Sequence, residues 1–367
     1  MSACSNPSFL AASAGRSIGC LQLLQSFRAR RCAIIKLTDV AINRTRHASG
    51  IEELHVVRTF AVPVALTQGR DARSSDSTPL VVHLTARVAP GVERVDVAVN
   101  IDNTARDHRL RFAFPTGASG STAVAAATFD IAPRAPRTIN SEGWVQPAPR
   151  TFPHQGWVHN NGLTVVAPGL PEAEVVDDGT IYITAVRAVG WLSRIDLHSR
   201  PEPAGPGLRA NEAQCLRPID TFFSLTFGPV PQQEALDAEL GLRAVPAGPD
   251  ARFGEGGSLL TIEGDGVVLS TLKPAQDGRA VIARVLNPTD QTTEVMLHFG
   301  LPVDLVHAVR LDEADVDEPF TFAHDTVQAM VPPHALRSWR IEFSTPTEVP
   351  SLARTNRYAG CWGSRDG

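Results

Sequence analysis

The sequence has little lysine, no long apolar run and no clustered cysteines. Lysine occurs only at Lys36 and Lys273, and arginine supplies the remaining positive charge. No apolar run approaches the roughly 18–20 residues that a membrane-spanning helix needs. The five cysteines are scattered without a CxxC pair, which argues against a disulfide framework and fits a reducing, cytoplasmic compartment. A net charge of −5 over 367 residues gives no electrostatic basis for binding nucleic acid or membranes.

Motifs for metal binding and nucleophilic catalysis are also missing. None of the eleven histidines is followed two residues later by Asp or Glu. There is no nucleophile elbow, phosphate-binding loop or dinucleotide fingerprint. Glu172 and Glu174 lie at i and i+2, so on a strand their side chains share one face, roughly 6.6 Å apart. That spacing would suit a glycosidase, but any E-x-E strand gives it, and a solvated sheet face is the favoured interpretation.

What is present is the pattern of an all-β protein with two domains. Apolar residues alternate with polar ones in residues 82–88, 95–101 and 110–114, and this pattern predicts strands with one buried face. Short strands separated by Pro, Gly, Asn and Asp turns predict antiparallel sheets in a sandwich. The one clear helix candidate is residues 232–240.

The domain boundaries follow from composition. Residues 51–244 are predicted to form a large sandwich, residues 245–257 a Pro/Gly-rich linker, and residues 258–345 a smaller sandwich. Residues 1–50 are rich in arginine and contain no acidic residue before Asp39. We expect this segment either to be poorly ordered or to result from a mis-assigned start or out-of-frame translation. A short amphipathic helix is possible within residues 21–37. The tail, residues 346–367, is expected to be disordered.

Four segments in order resemble one known family. They are AVGWLSRIDLHSRPEPAGPGLRANEAQCL at 188–216, VNIDNTARDHRLRFAFPTG at 99–117, GLTVVAPGLPEAEV at 162–175 and VVLSTLKPAQDGRAVIARVLNP at 267–288. They are similar to the C-terminal half of bacterial-type α-mannosidases of glycoside hydrolase family 38. The resemblance covers about residues 50–343 and implies a large, mutarotase-like sandwich followed by a smaller one.

The resemblance also bears on chemistry. In this family the nucleophilic aspartate and the zinc ion, with its two His and two Asp ligands, belong to an N-terminal α/β barrel. We therefore expect this chain to hold no cofactor, to have no catalytic residues and to be inactive alone, as an accessory portion of a mannosidase. Its expected partners are a catalytic barrel and mannosides. The alternatives are a freestanding carbohydrate-binding sandwich, or a mutarotase-like enzyme with a His and a Glu in one pocket.

Two groups of residues are candidates for contact with a carbohydrate or with another domain. The first group is Arg106, Asp107, His108 and Arg109, which concentrate charge at a turn. The favoured interpretation there is structural: a turn in which Asp107 and Arg109 are hydrogen-bonded to each other. The second group is Trp191, Arg194, Asp196 and Arg200, where an aromatic ring beside Arg and Asp could stack on a sugar. A rigid loop that contacts another domain is favoured there. Trp144 and Trp157 flank the Pro-rich segment 147–153, and each is either a platform for a carbohydrate or a residue that packs the loop.

Overall fold

A computed structural model describes the backbone of residues 22–24 and residues 35–344, except 118, 120–121, 136–138, 198–199, 201, 203, 230–231, 242–243 and 247–256. The chain divides into two compact units, Met1–Arg243 and Ala244–Gly367. The boundary lies beside the predicted linker 245–257, most of which lies outside the described residues, as does the tail 346–367. The regular secondary structure of the first unit is almost entirely strand, as the alternation predicts.

The strands of the first unit are β1 (Gln22–Leu24), β2 (Lys36–Arg46), β3 (Glu52–Pro63), β4 (Ser77–Val88), β5 (Arg94–Asp102), β6 (Arg109–Phe114), β7 (Ala123–Ala127), β8 (Asp130–Arg134), β9 (Phe152–Pro153), β10 (Trp157–Asn160), β11 (Leu163–Val166), β12 (Glu172–Val175), β13 (Ile181–Arg187) and β14 (Pro218–Phe227). Asn211–Gln214 forms a 3₁₀ turn and Gln232–Leu240 the helix α1.

These strands form two antiparallel sheets that face each other. One has the order β1-β6-β13-β12-β9, and the other β2-β3-β4-β5-β14-β11-β10-β7-β8. Val97 and Val99 of the nine-stranded sheet and Phe112 and Phe114 of the five-stranded sheet are buried in one core, while Val95 is partly buried. The Phe112 and Phe223 rings, one from each sheet, lie 5.2 Å apart between centroids. The all-β sandwich predicted for this unit is confirmed.

The N-terminal part differs from the prediction wherever the structure describes it. β2 pairs with β3 over ten residue pairs, from Lys36↔Ala61 to Arg46↔Glu52, and Gln22–Leu24 is a strand paired with β6 rather than part of a helix. The predicted disorder rested on the missing acidic residues. It overlooked the β-branched residues Thr38, Val40 and Ile42, which suit a strand.

The helix prediction for residues 232–240 is confirmed by α1. Ala235 and Ala238 of this helix are buried with Trp157 and Val166 in a small cluster beside β10 and β11. Trp157 is therefore a packing residue, since only 7% of it is exposed. None of the helices among the described residues is long and apolar enough to cross a membrane.

The second unit contains eight strands in two sheets. They are β15 (Leu260–Glu263), β16 (Val268–Pro274), β17 (Val281–Asn287), β18 (Thr293–Phe299), β19 (Val303–Ala308), β20 (Thr321–Ala323), β21 (Thr326–Val331) and β22 (Ala335–Phe343). The sheet orders are β15-β18-β21-β20 and β16-β17-β22-β19. Both sheets contribute to one core, in which Trp339 is 2% exposed and Leu297 is fully buried.

Candidate functional site

The first candidate group lies at a turn that is fixed by a glutamine from a distant loop. Asp107 adopts φ 53°, a left-handed conformation that few residues other than glycine take. Its N–H donates to Gln214 Oε1 at 2.8 Å, and its Oδ1 accepts from Gln214 Nε2 at 2.7 Å. A Cβ on Gly190 would lie 2.8 Å from Gln214 Nε2, so a larger residue there would displace the Gln214 side chain from this position. The Asp107 carboxylate therefore serves the fold.

An arginine from another loop binds the backbone of the same turn. Arg73 Nη1 donates to the carbonyls of Arg106 (3.1 Å) and Asp107 (2.7 Å), and Nη2 donates to Pro63 O at 2.7 Å. Burial lowers the pKa of Arg73, and the charge of Asp107 opposes that shift. Arg106 itself is exposed. These contacts support the structural interpretation of the turn, although its partners are Gln214 and Arg73 rather than Arg109.

His108 points into the protein. It is 3% exposed, and burial, followed by the positive charge of Arg73, lowers its pKa to about 4. Neither ring nitrogen has a partner of good hydrogen-bond geometry. The backbone of Arg106, the charge of Asp107 and the backbone of Ala105 oppose the lowering of this pKa. The imidazole is thus neutral near pH 7 and is not presented to a ligand in solvent.

Arg109 belongs to a polar network on the outer face of the five-stranded sheet. Its Nη2 lies 2.8 Å from Glu172 Oε1, and it also donates to Thr184 Oγ1 at 3.0 Å. Thr184 Oγ1 donates in turn to Glu172 Oε1 at 2.7 Å, while Arg187 Nη1 lies 3.4 Å from Glu172 Oε2. Glu172 is therefore held by two arginines and a threonine.

The second carboxylate of the E-x-E pair is buried, contrary to the solvated face that we expected. Glu174 is 7% exposed and forms an ion pair with Arg111, which is 3% exposed. The Arg111 guanidinium lies over the Tyr182 ring, 4.1 Å from its centroid. Both carboxylates of the E-x-E pair are engaged by arginines. Their arrangement is that of a structural ion-pair network, not of an acid and a nucleophile flanking a substrate.

The second candidate group forms a compact cluster around one indole ring. The guanidinium of Arg194 lies 4.3 Å from the Trp191 ring centroid, and that of Arg209 lies 4.5 Å from it. Asp196 accepts from Arg194 Nε at 2.8 Å and from its Nη2 at 3.2 Å, and it also pairs with Arg70. The cluster thus contains three guanidinium groups and one carboxylate. Burial and the charges of Arg70 and Arg209 lower the pKa of Arg194.

Sequence reasoning placed Trp191, Arg194 and Asp196 together correctly but missed Arg70 and Arg209. Arg209 follows a Pro/Gly-rich stretch and returns to pair with Trp191 in an isolated bridge, while Arg70 lies 126 residues before Asp196 in the chain. No local pattern marks either residue. Arg200 instead donates its backbone N–H to Leu197 O at 3.1 Å and forms no ion pair with a described residue.

Large apolar side chains are exposed in the same loop. Leu192 and Ile195 are each 65% exposed, and Leu208 is 59% exposed. We call these three residues, together with Trp191, Arg194 and Arg209, the 191–209 surface. Single exposed leucines are ordinary, but three beside an arginine-stacked tryptophan are typical of a protein interface, where Trp and Arg are enriched.

The described residues offer no group of three or more His, Cys, Asp or Glu side chains that could hold a metal ion. Zinc with two His and two Asp ligands therefore does not fit this part of the chain. We derive no chemical step through a metal.

Comparisons with known proteins bear on both units. Residues 266–343 match the family described as the glycosyl hydrolases family 38 C-terminal beta sandwich domain. A protein of Halalkalibacterium halodurans named "Putative mannosylglycerate hydrolase" is 29% identical over 281 residues, which cover 74% of this chain and 29% of that protein. The chain thus spans less than a third of this relative.

Two solved structures from Enterococcus faecalis share the fold. One is a protein in glycosyl hydrolase family 38 and the other an alpha-mannosidase; the TM-score is 0.67 for each, at 21% and 22% identity. Each match covers 83% of this chain but only 37% and 35% of the other chain. The fold that these structures share with this chain is an antiparallel β-sandwich. The resemblance to the C-terminal β-sandwich portion of family 38 that was stated from the sequence is confirmed.

Proposed function

We propose that this chain is the accessory, non-catalytic C-terminal portion of an α-mannosidase-type glycoside hydrolase, and that it acts together with a catalytic barrel. The observation that carries the proposal is the 191–209 surface, which lies in one of the four segments that resemble family 38. It exposes Leu192, Ile195 and Leu208 beside more arginines than carboxylates. Such a surface suits a protein partner with apolar and acidic side chains.

The groups considered from the sequence for catalysis are engaged within the fold. His108 is buried and neutral near pH 7, and Glu172 and Glu174 are engaged by arginines. The role left to this region is to bind the catalytic domain and to complete the folded enzyme. Mannosides, including mannosylglycerate, are the substrates to test for the assembled enzyme, because the relatives are named for them.

The test is binding of the full chain to a separately produced family-38 catalytic barrel, measured by isothermal titration calorimetry. Ile195→Asp places a charge in the 191–209 surface and should weaken binding about tenfold or more, as expected for an interface hot spot. Ile42→Asp, at a residue of β2 that is 58% exposed, is the matched control and should bind as the unmodified chain does. Equal binding by both variants, or no binding by the unmodified chain, would overturn the proposal.

A second candidate is carbohydrate binding at Trp144, because 58% of this residue is exposed on a loop that is held in place. The backbone N–H of Trp144 donates to Ser141 O at 3.0 Å, and Ser141 Oγ accepts from the backbone N–H of Ala148 at 3.0 Å. An exposed indole on such a loop is a platform on which a sugar ring can stack. Mannan affinity electrophoresis tests this: retardation that is lost in Trp144→Ala supports it, and equal mobility of the two proteins refutes it.

A further inference from the structure

One buried arginine in the second unit has no carboxylate partner among the described residues. Arg284, on β17, is 8% exposed. Its Nε donates to Ser338 Oγ at 2.8 Å, and its Nη2 is buried with no hydrogen-bond partner. Ser338 is neutral, so it satisfies one donor but not the charge. A buried guanidinium without a counter-charge is costly, and buried charges in proteins are normally paired.

The neighbouring strands show how unusual this is. Arg284 lies between Thr271 of β16 and Ser338 of β22. Two residues before Arg284 on β17, on the same face of the sheet, Ile282 lies between Lys273 and Arg340. Each of these two cations forms an ion pair with a carboxylate.

Lys273 pairs with Glu313, and Arg340 Nη2 lies 2.9 Å from Asp277 Oδ2. Each of these neighbours is thus compensated, although both are more exposed than Arg284. The least exposed cation of the three is the one that is left without a carboxylate.

On the other side of Arg284 the row is apolar. Leu286 of β17 pairs with Val268 and with Leu336, and all three side chains are partly buried. Arg284 therefore has cations on one side and hydrocarbon on the other, and neither side lowers the cost of its charge. Because Nε donates to Ser338, Nη2 is the buried donor that is left without an acceptor. Guanidinium N–H groups such as this one are the donors with which arginine binds carboxylates.

We propose that Arg284 is a binding site for a single carboxylate group that the described part of this chain does not supply. The carboxylate would accept a hydrogen bond from Nη2, while the bond from Nε to Ser338 Oγ holds the guanidinium in place. Two sources have this chemistry: a small organic acid, and an acidic side chain of a partner polypeptide. The inference goes beyond the proposed function and does not depend on it.

The first arm of the test uses acetate as the probe and the full chain. Thermal unfolding is followed by calorimetry while acetate replaces chloride at constant ionic strength. The unmodified chain should gain stability as acetate rises, because acetate binds the folded state. Arg284→Met should abolish that gain. In chloride it should also unfold about 2–8 °C higher, because it removes an uncompensated charge.

Arg340→Met is the matched control, since it removes a paired arginine from the neighbouring row. It should keep the acetate response and should not raise the unfolding temperature. Arg284→Lys keeps the charge but loses the planar fork, so it should retain only part of the response. This variant decides the question if Arg284→Met fails to fold.

The second arm measures binding of the barrel partner to the same variants. Arg284→Met should weaken binding about tenfold or more if a partner side chain supplies the carboxylate, and Arg340→Met should not. A response in the acetate arm alone identifies a small acid as the ligand, and it leaves the inference standing even if the barrel never binds. The proposal would be overturned if the unmodified chain and Arg284→Met showed the same dependence of unfolding on acetate and also bound the barrel with the same affinity.

Discussion

Replacing His154 with phenylalanine should make the first unit less sensitive to acid. His154 is 3% exposed, and burial lowers its pKa from 6.5 to about 4, with only a weak opposing contact to the backbone of Leu170. Neither of its ring nitrogens has a partner of good hydrogen-bond geometry. The folded protein therefore holds this imidazole in its neutral form until the pH falls close to 4.

The sign of the effect follows from the two pKa values. Above pH 6.5 neither the folded nor the unfolded state protonates His154, so its contribution does not change with pH. Between pH 6.5 and about 4 the unfolded chain binds a proton that the folded protein does not, and the free energy of unfolding falls as the pH is lowered. At about 1.4 kcal/mol for each unit of pKa difference, the loss by pH 4 is about 3 kcal/mol.

The assay is urea unfolding of the unmodified chain and of His154→Phe across this pH range, followed by circular dichroism. Phenylalanine keeps a flat ring in the cavity but cannot be protonated, so the gap between the two stability curves should shift by about 3 kcal/mol in favour of the variant by pH 4. His83→Gln removes an exposed histidine and serves as the control. Parallel curves for the unmodified chain and His154→Phe would refute the reasoning, as would an equal shift in His83→Gln.

The other predictions concern stability and use the same assay at neutral pH. Arg111→Met should cost about 3–5 kcal/mol because it leaves the Glu174 carboxylate buried and unpaired, and Glu174→Met in the same chain should recover much of that loss; additive losses would contradict this. Asn287→Ala should cost about 2–4 kcal/mol, because Asn287 is fully buried and the two hydrogens on its Nδ2 are shared among three backbone carbonyls. A change below about 0.5 kcal/mol would be inconsistent with this reasoning. Val40→Thr and Ile42→Thr should each change stability by less than about 0.5 kcal/mol, because both residues are exposed on β2; a larger loss would show that this strand is covered.

Much of the fold could be predicted from local patterns. The alternation of Leu110, Phe112 and Phe114 is enough to assign the buried face of β6, since a strand has a period of two. The helix 232–240 follows from a short segment of good helix formers between turn residues. The strand at 36–46 was missed because composition was weighed above the pattern, although Val40 and Ile42 are typical strand residues.

The site was less predictable, because its contacts join residues that are distant in sequence. Arg111 and Glu174 are separated by 63 residues and lie on strands that both pair with β13. The sequence places each of these two residues on a strand, but it does not predict the ion pair between them. The burial of Glu174 depends on the order of the strands in the sheet. The lack of a carboxylate beside Arg284 depends on which residues lie opposite it on the neighbouring strands. Neither property can be read from one segment alone.

We have proposed that this region supports catalysis without performing it. The most direct measurement is turnover of an aryl α-mannoside and of mannosylglycerate by the purified chain, with and without zinc, and then in the presence of a family-38 barrel. The account predicts no turnover by the chain alone under either condition, and turnover when the barrel is added. Turnover by the chain alone that is lost on chelation, or on substitution of one of its own histidines, would contradict the account.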